Sequence, residues 1–458
     1  MNARALATRL IRSDFARLLG GSSYIYALRI TGAAITFATQ ILLARWMGAA
    51  ELGAYVFAFS ASMVLGFTAT LGFPAAAQIF IPQSLVKGRP DLAQGFAIRS
   101  RQIVLISSCV VGALLSAGAA LYYWPDLWRA APLMLSGLAT PVIAILLLNE
   151  SVCRSIDLIA LAILPNMIVR QVIHLALIAG LVLAGYALSA PLVMGILVAI
   201  TAASALGQTM MLRGPLNRAT GGAAPSFETE TWMRTSLPLL MMMAYSGYQM
   251  EVNIVIAGLY LGDEQRAIYN AAWRIANIAG FFFIAVGFQI GPEVSRLVGA
   301  GNKQALQRLI ARATLIRFLY ALGVVAAVWI LGHYVLSLFG PVFLAGESPL
   351  SILVLTQLIM GAFGPTSHIL AVTGHQNHSA VIFSVATAVM IVLTAVLTPL
   401  IGMEGSALAV IATTVGWNAY MYWLVVRDVG IHPTILSVRH ALPTAKITHG
   451  GTHGNAAD

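Results

Sequence analysis

The sequence predicts an all-α integral membrane protein of about twelve transmembrane helices, arranged as two parallel-repeat six-helix bundles around a central cavity. Three observations predict it. Of 458 residues, 59% are hydrophobic and only 9% charged, with a mean hydropathy of +0.85. A soluble domain carries roughly 25% charged residues because its surface must face water. Apolar runs of about 20 residues, the length that crosses a bilayer as a helix, recur along the chain. Finally, the two halves resemble each other at a nearly constant offset of 213 or 214 residues. The short alternating segments of a membrane β-barrel do not occur.

The first span reads as Tyr24–Trp46. A basic arm with Arg4, Arg9, Arg12 and Arg17 precedes it, as in a signal peptide, but the apolar stretch is long and lacks a small-residue cleavage site, so it reads as a retained span. Leu52–Phe73, Ile103–Tyr123, Pro132–Leu148, Ile163–Leu183 and Pro191–Met211 complete the first six. The second six are Leu237–Leu261, Ala267–Ile290, Leu315–Leu338, Leu350–Thr373, Ala380–Leu400 and Ser406–Val426. Punctuation at Pro132, Pro191, Gly262 and Gly402 marks breaks. Pro74 and Pro365 fall in or beside spans two and ten, where proline kinks a helix.

The net charge of +10 comes from 26 Lys and Arg against 16 Asp and Glu. In a soluble protein this would suggest nucleic acid; in a membrane protein it marks cytoplasmic loops, and no nucleic-acid partner is expected. Lys87, Arg89, Arg99 and Arg101 follow span two, and Arg296, Lys303, Arg308 and Arg312 follow span eight. The opposite loops are short, with Arg45, Arg129 and Arg266. Both termini are therefore expected in the cytoplasm of a multi-pass inner-membrane protein.

The repeat pairs Gly48 with Gly262 and Tyr55 with Tyr269, then Gly88 with Gly301 and Arg99 with Arg312. Six spans per half give the copies the same orientation, a transporter plan with the substrate between the halves. The expected domains are an N-terminal lobe at 1–212, a cytoplasmic linker at 213–232, a C-terminal lobe at 233–427, and a disordered cytoplasmic tail at 428–458.

Charges at membrane depth are costly and usually face a cavity or one another. Arg29 shares a helix face with Ser22, Thr36 and Gln40, and Arg170 shares one with His174. Glu251 sits mid-span beside Tyr248 and Gln249, and Arg274 lies on one face with Asn270 and Asn277. Counted from the hairpin between spans seven and eight, Glu251 and Arg274 differ in height by roughly 6 Å, so an ion pair is expected, either as a gate or as a brace. Arg29 has the alternative of snorkelling to the interface. His174 and His368 read as interior histidines, and Arg45 with Glu51 as a structural cap on the first outer turn. The two cysteines give no disulfide framework, no metal spacing is present, and the tail histidines His449 and His453 read as part of a polar tail. No cofactor is expected. The absence of a Gly-rich phosphate loop, nucleophile elbow or zinc spacing argues against an enzyme.

The first hairpin, with Ala44, Arg45, Gly48, Gly53 and Tyr55, resembles that of the polysaccharide (O-antigen and exopolysaccharide) flippases. The second half resembles the same family at Glu251, Gly262, Tyr269 and Arg274, although the family often has Asp where Glu251 stands. The resemblance implies the multidrug/oligosaccharidyl-lipid/polysaccharide exporter superfamily, with a V-shaped cleft between two six-helix bundles. It implies an undecaprenyl-diphosphate-linked oligosaccharide as the substrate, with membrane lipids and glycan polymerase machinery as partners. Arg29, Arg170 and Arg274 would then face the diphosphate, and Gln40, Tyr248, Glu251, Asn270 and Asn277 would complete the cavity. Two rivals stand beside it. A multidrug and toxin cation antiporter of the same superfamily favours acidic walls; a glycan polymerase or ligase needs a large outer loop.

Overall fold

The computed structural model describes residues 31–278, 280–374 and 376–440. It is helical almost throughout. Helix α1 (31–47) ends at Gly48, whose φ of 80° lets the chain turn directly into α2 (Ala49–Ala69). The first lobe continues through α3 (Phe73–Val86), α4 (Pro90–Tyr122), α5 (Leu127–Ser155), α6 (Ile159–Leu183) and α7 (Ala190–Ala219). The second half holds α8 (Thr229–Gly258), α9 (Asp263–Asn277), α10 (Gly280–Gly299), α11 (Lys303–Ser337), α12 (Glu347–Ala362), α13 (Thr366–Val372) and α14 (Gln376–Val429).

Each apolar run of the sequence has a helical counterpart among the described residues, and eight helices are long and apolar enough to cross a membrane. The last of these is broken at Ile401–Gly402 and carries spans eleven and twelve. The chain is a multi-pass membrane protein. Among the described residues four expected spans are interrupted, span seven at Tyr248 being one. Span two breaks at Gly72, and Pro74 sits in the first turn of α3, where its missing N–H costs nothing. Span eight divides into α9 and α10, and span ten into α12 and α13 around Phe363–Pro365. Several helices also outrun the apolar stretch. Helix α4 starts at Pro90, thirteen residues before Ile103, because its first turns are amphipathic and hydropathy registers only the membrane-embedded part. In that first turn Arg89 donates to Asp91 at 2.9 Å, which holds the Asp91 carboxyl below the usual carboxylate range.

The largest buried cluster straddles the halves. It joins Leu43, Leu52, Tyr55 and Val56 to Ile254, Ala257, Ile268, Tyr269 and Trp273. At its centre the repeat-related helices α2 and α9 meet so closely that a Cβ on Gly53 would overlap the Asp263 carbonyl. Around them the Arg45 guanidinium donates to the carbonyls of Leu338 and Ser337, both at 2.7 Å. Phe37 meets Phe339 edge-on at 5.7 Å, and the Arg266 guanidinium lies over Phe57 at 4.2 Å. Arg45 and Glu51 therefore do not cap one turn together. Arg45 clamps the far lobe, while Glu51 accepts from the backbone N–H of Ala190 at 2.6 Å and caps α7.

Helix α8 is shared between the lobes. Its first half packs on the first lobe, with Trp232 buried against Phe96 at 5.2 Å and Tyr248 stacked on Phe67 at 4.1 Å. Its second half is tied into the other lobe by a buried knot. Tyr269 and Ser406 both donate to Asn253 Oδ1 (2.8 and 2.9 Å), and Asn253 Nδ2 donates to Thr394 (2.9 Å). Between the two halves, Tyr248 leaves helical geometry (φ −133°, ψ 16°). The sequence places the second lobe's start at 233; packing hands the stretch before Tyr248 to the first. The segment after α14 is likewise not a free tail through residue 440. Gly364 donates to the Pro433 carbonyl at 2.7 Å, and Gln307 exchanges hydrogen bonds with the His432 backbone at 2.7 and 3.1 Å. His449 and His453 lie outside the described residues.

Candidate functional site

On the side of the basic loops the halves separate around a cavity of about 590 Å³. Its walls come from α1 (Thr36, Phe37), α6 (Asn166, Arg170), α8 (Gly247, Met250) and α9 (Arg274, Asn277). The first lobe thus supplies one arginine and the second lobe the other. A smaller adjoining hollow, lined by Gln40, Tyr55, His174 and both arginines, reaches up toward the sealed seam.

Arg170 is aimed by a local irregularity. Pro165 has no N–H to donate, and Pro165–Val169 forms a π-helical turn directly before Arg170. Such a turn shifts the helix face that follows it, and π-bulges are frequent at functional sites. Arg170 is 6% exposed, donates weakly to Thr201 (3.5 Å) and to the Asn166 carbonyl (3.4 Å), and meets no carboxylate within ion-pairing distance among the described residues. A guanidinium has five N–H donors, so most of its capacity is unused. One turn on, His174 is buried against the Tyr55 ring, with no partner for its Nε2.

Arg274 stands in the last turn of α9, donating from Nε to Asn270 Oδ1 at 3.2 Å. Asn270 in turn donates across the seam to Gln40 Oε1 at 3.4 Å, so the second lobe's arginine is steadied by a residue of the first. Asn277 lines the cavity and accepts from Gln357 at 3.4 Å. Tyr248 is at the α8 kink, its ring against Phe67. Glu251, three residues on, is half-buried. Among the described residues no ion pair joins Glu251 to Arg274; the two interact only through their electric fields. The expected pair does not form because Arg274 is turned toward Asn270 and the cavity. Arg29 lies outside the described residues.

The structure therefore brings Arg170, Arg274, Gln40, Asn270 and Asn277 around one cavity system. Asn166 and Tyr55 line it and Thr201 bonds to Arg170; the sequence marked Tyr55 only as a repeat and motif position, and did not mark the other two. The i, i+4, i+8 stripe Asn166–Arg170–His174, all polar in an apolar span, was the available signal. No group of residues able to hold a metal ion occurs among those described. Two guanidinium groups lining one cleft have the chemistry to hold an anion, since each matches phosphate or carboxylate oxygens bidentately.

With this geometry in view, the comparisons fix the architecture. Residues 238–397 match the MatE family model. No curated protein sequence matches the chain. An inward-facing multidrug resistance MATE family transporter of the MOP superfamily superposes with a TM-score of 0.69 at 15% identity, over 88% of this chain and 98% of that one. The chain has the MATE fold. The outward-facing form of a multidrug resistance MATE family transporter gives 0.57 at 14% identity, over 89% and 94% of the two chains. A MOP superfamily transporter from Pyrococcus furiosus, described by the reverse polarity of its binding pocket and a suggested different function, gives 0.60 at 16% identity over 89% and 94%. In all of these MATE-fold comparisons nearly the whole length of the other chain is covered.

Proposed function

We propose that this protein is an alternating-access membrane exporter whose cleft takes an amphiphile with an anionic head. The observation that carries the proposal is the pair Arg170 and Arg274, contributed by opposite lobes to one cavity and ion-paired with no carboxylate among the described residues. The MATE fold supplies the alternating-access frame, and the MatE match supports the exporter class. The sealed seam lies on the side of the short loops and the cavity on the side of the basic ones, so the state described is inward-open. The higher score against the inward-facing transporter supports this. Both termini then face the cytoplasm.

An undecaprenyl-diphosphate-linked oligosaccharide is one member of this substrate class. Its support is the arginine pair and the flippase-like motifs; none of the related structures is described as carrying one. A second reading, a multidrug cation antiporter, is favoured by the descriptions of those relatives and by Glu251, the residue after the wall residue Met250.

One experiment separates them. Purified protein is titrated with a short prenyl diphosphate and with ethidium, following intrinsic fluorescence. The anionic reading expects saturable binding of the diphosphate, weakened about tenfold by Arg170→Gln or Arg274→Gln, the size of a lost charge-assisted hydrogen bond. Tight ethidium binding that depends on Glu251 and is indifferent to both arginines establishes the cation reading instead.

A further inference from the structure

Away from the cleft, a second pair of arginines is left without counter-charge, at the membrane edge of the first lobe. Arg101 lies two residues before the apolar run that starts at Ile103 in α4, and Arg213 lies two residues after the run that ends at Met211 in α7. The two helices run in opposite directions, so both side chains fall at the same edge, the one bearing the basic loops. Between them stands fully buried Asn149 of α5. Arg101 Nη2 donates to Asn149 Oδ1 at 3.2 Å, and Asn149 Nδ2 donates to Thr209 at 2.8 Å, one turn before Arg213.

Neither arginine has an acidic partner among the described residues. The nearby carboxylate, Glu150, is taken by Arg154. The Arg101 Nε is buried with no acceptor, and the two guanidinium groups act on each other as like charges. A protein does not hold two uncompensated cations together at a dielectric boundary unless something negative visits them. Neither α4 nor α5 lines the cavity or its adjoining hollow, and α7 reaches them only around Leu197 and Thr201, about three turns away from Arg213, so this place lies apart from the transport cleft. Next to the arginines the helices present lipid-facing side chains: Ile106 on α4, and Leu206 and Met210 on α7, all exposed.

We propose that the groove between α4, α5 and α7 binds the phosphate of an anionic phospholipid headgroup between Arg101 and Arg213, with the acyl chains lying along Ile106, Leu206 and Met210. Basic pockets between transmembrane helices on the cytoplasmic side suit such headgroups. The guanidinium fork supplies the geometry, and Asn149 fixes Arg101 in place. A lipid held there would staple three helices of the first lobe, leaving the second lobe free to move against it.

The test uses the full-length protein, delipidated in detergent, with phosphatidylglycerol or phosphatidylcholine added, and retained lipid counted by native mass spectrometry. Phosphatidylglycerol adducts are expected to survive at collision energies that strip phosphatidylcholine. Arg101→Gln and Arg213→Gln should each lower phosphatidylglycerol retention about fivefold, the equivalent of roughly 1 kcal/mol per arginine. Arg234→Gln, at an exposed ion pair with Glu230, is the control and should change nothing. Should Arg101→Gln disturb folding, Arg213→Gln carries the test, because that side chain is exposed and bonds to no protein group among the described residues. Equal retention in the variants overturns the proposal. Displacement of the lipid by inorganic phosphate alone overturns the headgroup assignment in favour of a free-anion site.

Discussion

Single residues decide what the two lobes can hold and how firmly. Asn253 is the clearest case. It is 1% exposed and links spans seven, eight, eleven and twelve through Tyr269, Thr394 and Ser406. Replacing it with Leu fills the space but leaves three hydroxyl groups to find new partners inside the bundle. Hydrogen bonds between transmembrane helices measure about 0.6 kcal/mol on average and up to about 1.7. Losing three at once should lower the unfolding midpoint of detergent-purified protein by several degrees, read by a thiol-reactive or tryptophan thermal scan; an unchanged midpoint would show the knot to be energetically idle. The sequence was least informative at this scale. It marks Arg170, Arg274, Asn270 and Gln40 as polar groups at membrane depth, and the structure gathers them around one cavity system. It does not say that Asn253 looks inward or that Arg317 lies buried over Phe283 at 4.8 Å, because a polar residue in an apolar run carries no sign of which neighbour will satisfy it.

At the scale of the element, hydropathy finds each membrane crossing but not its breaks. Gly402 and Pro365 mark two of the breaks in the sequence and Pro74 stands two residues after a third at Gly72, but nothing in the apolar composition marks the one at Tyr248. Gly72 is required twice over: its φ is 80°, and a Cβ there would overlap the Ser236 carbonyl of α8. That contact, with Phe67–Tyr248 and Phe96–Trp232, fastens the first half of α8 to the first lobe. The bend at Tyr248 then has to absorb any rotation of one lobe against the other. Linking Phe67→Cys to Tyr248→Cys with a short bismaleimide, in a background without Cys109 and Cys153, should leave transport in proteoliposomes near its starting rate. A block by this cross-link would place the moving joint elsewhere.

For the whole molecule, the repeat matters more than either half. The sequence related Gly48 to Gly262 and Tyr55 to Tyr269, and the structure brings the two helices that follow these glycines face to face as the seal of the closed side. Gly53 permits that approach. Leu at this position cannot coexist with the Asp263 carbonyl where it now lies, so Gly53→Leu should hold the lobes apart on the short-loop side. Labelling of a cysteine at Val56, buried in the seam, should then rise several-fold with an impermeant maleimide added from outside, while the export rate falls. Labelling that stays at its starting level would mean the seam gives way without opening.

The hydrogen bond from Asn270 to Gln40 has a consequence for the timing of release. It crosses the seam, and the same asparagine steadies Arg274. Parting the lobes on the outer face pulls Gln40 away, and Arg274 loses the prop that fixes its direction. In the proposed exporter, the hold on an anionic head would therefore slacken as the outer face opens, with no separate trigger for release.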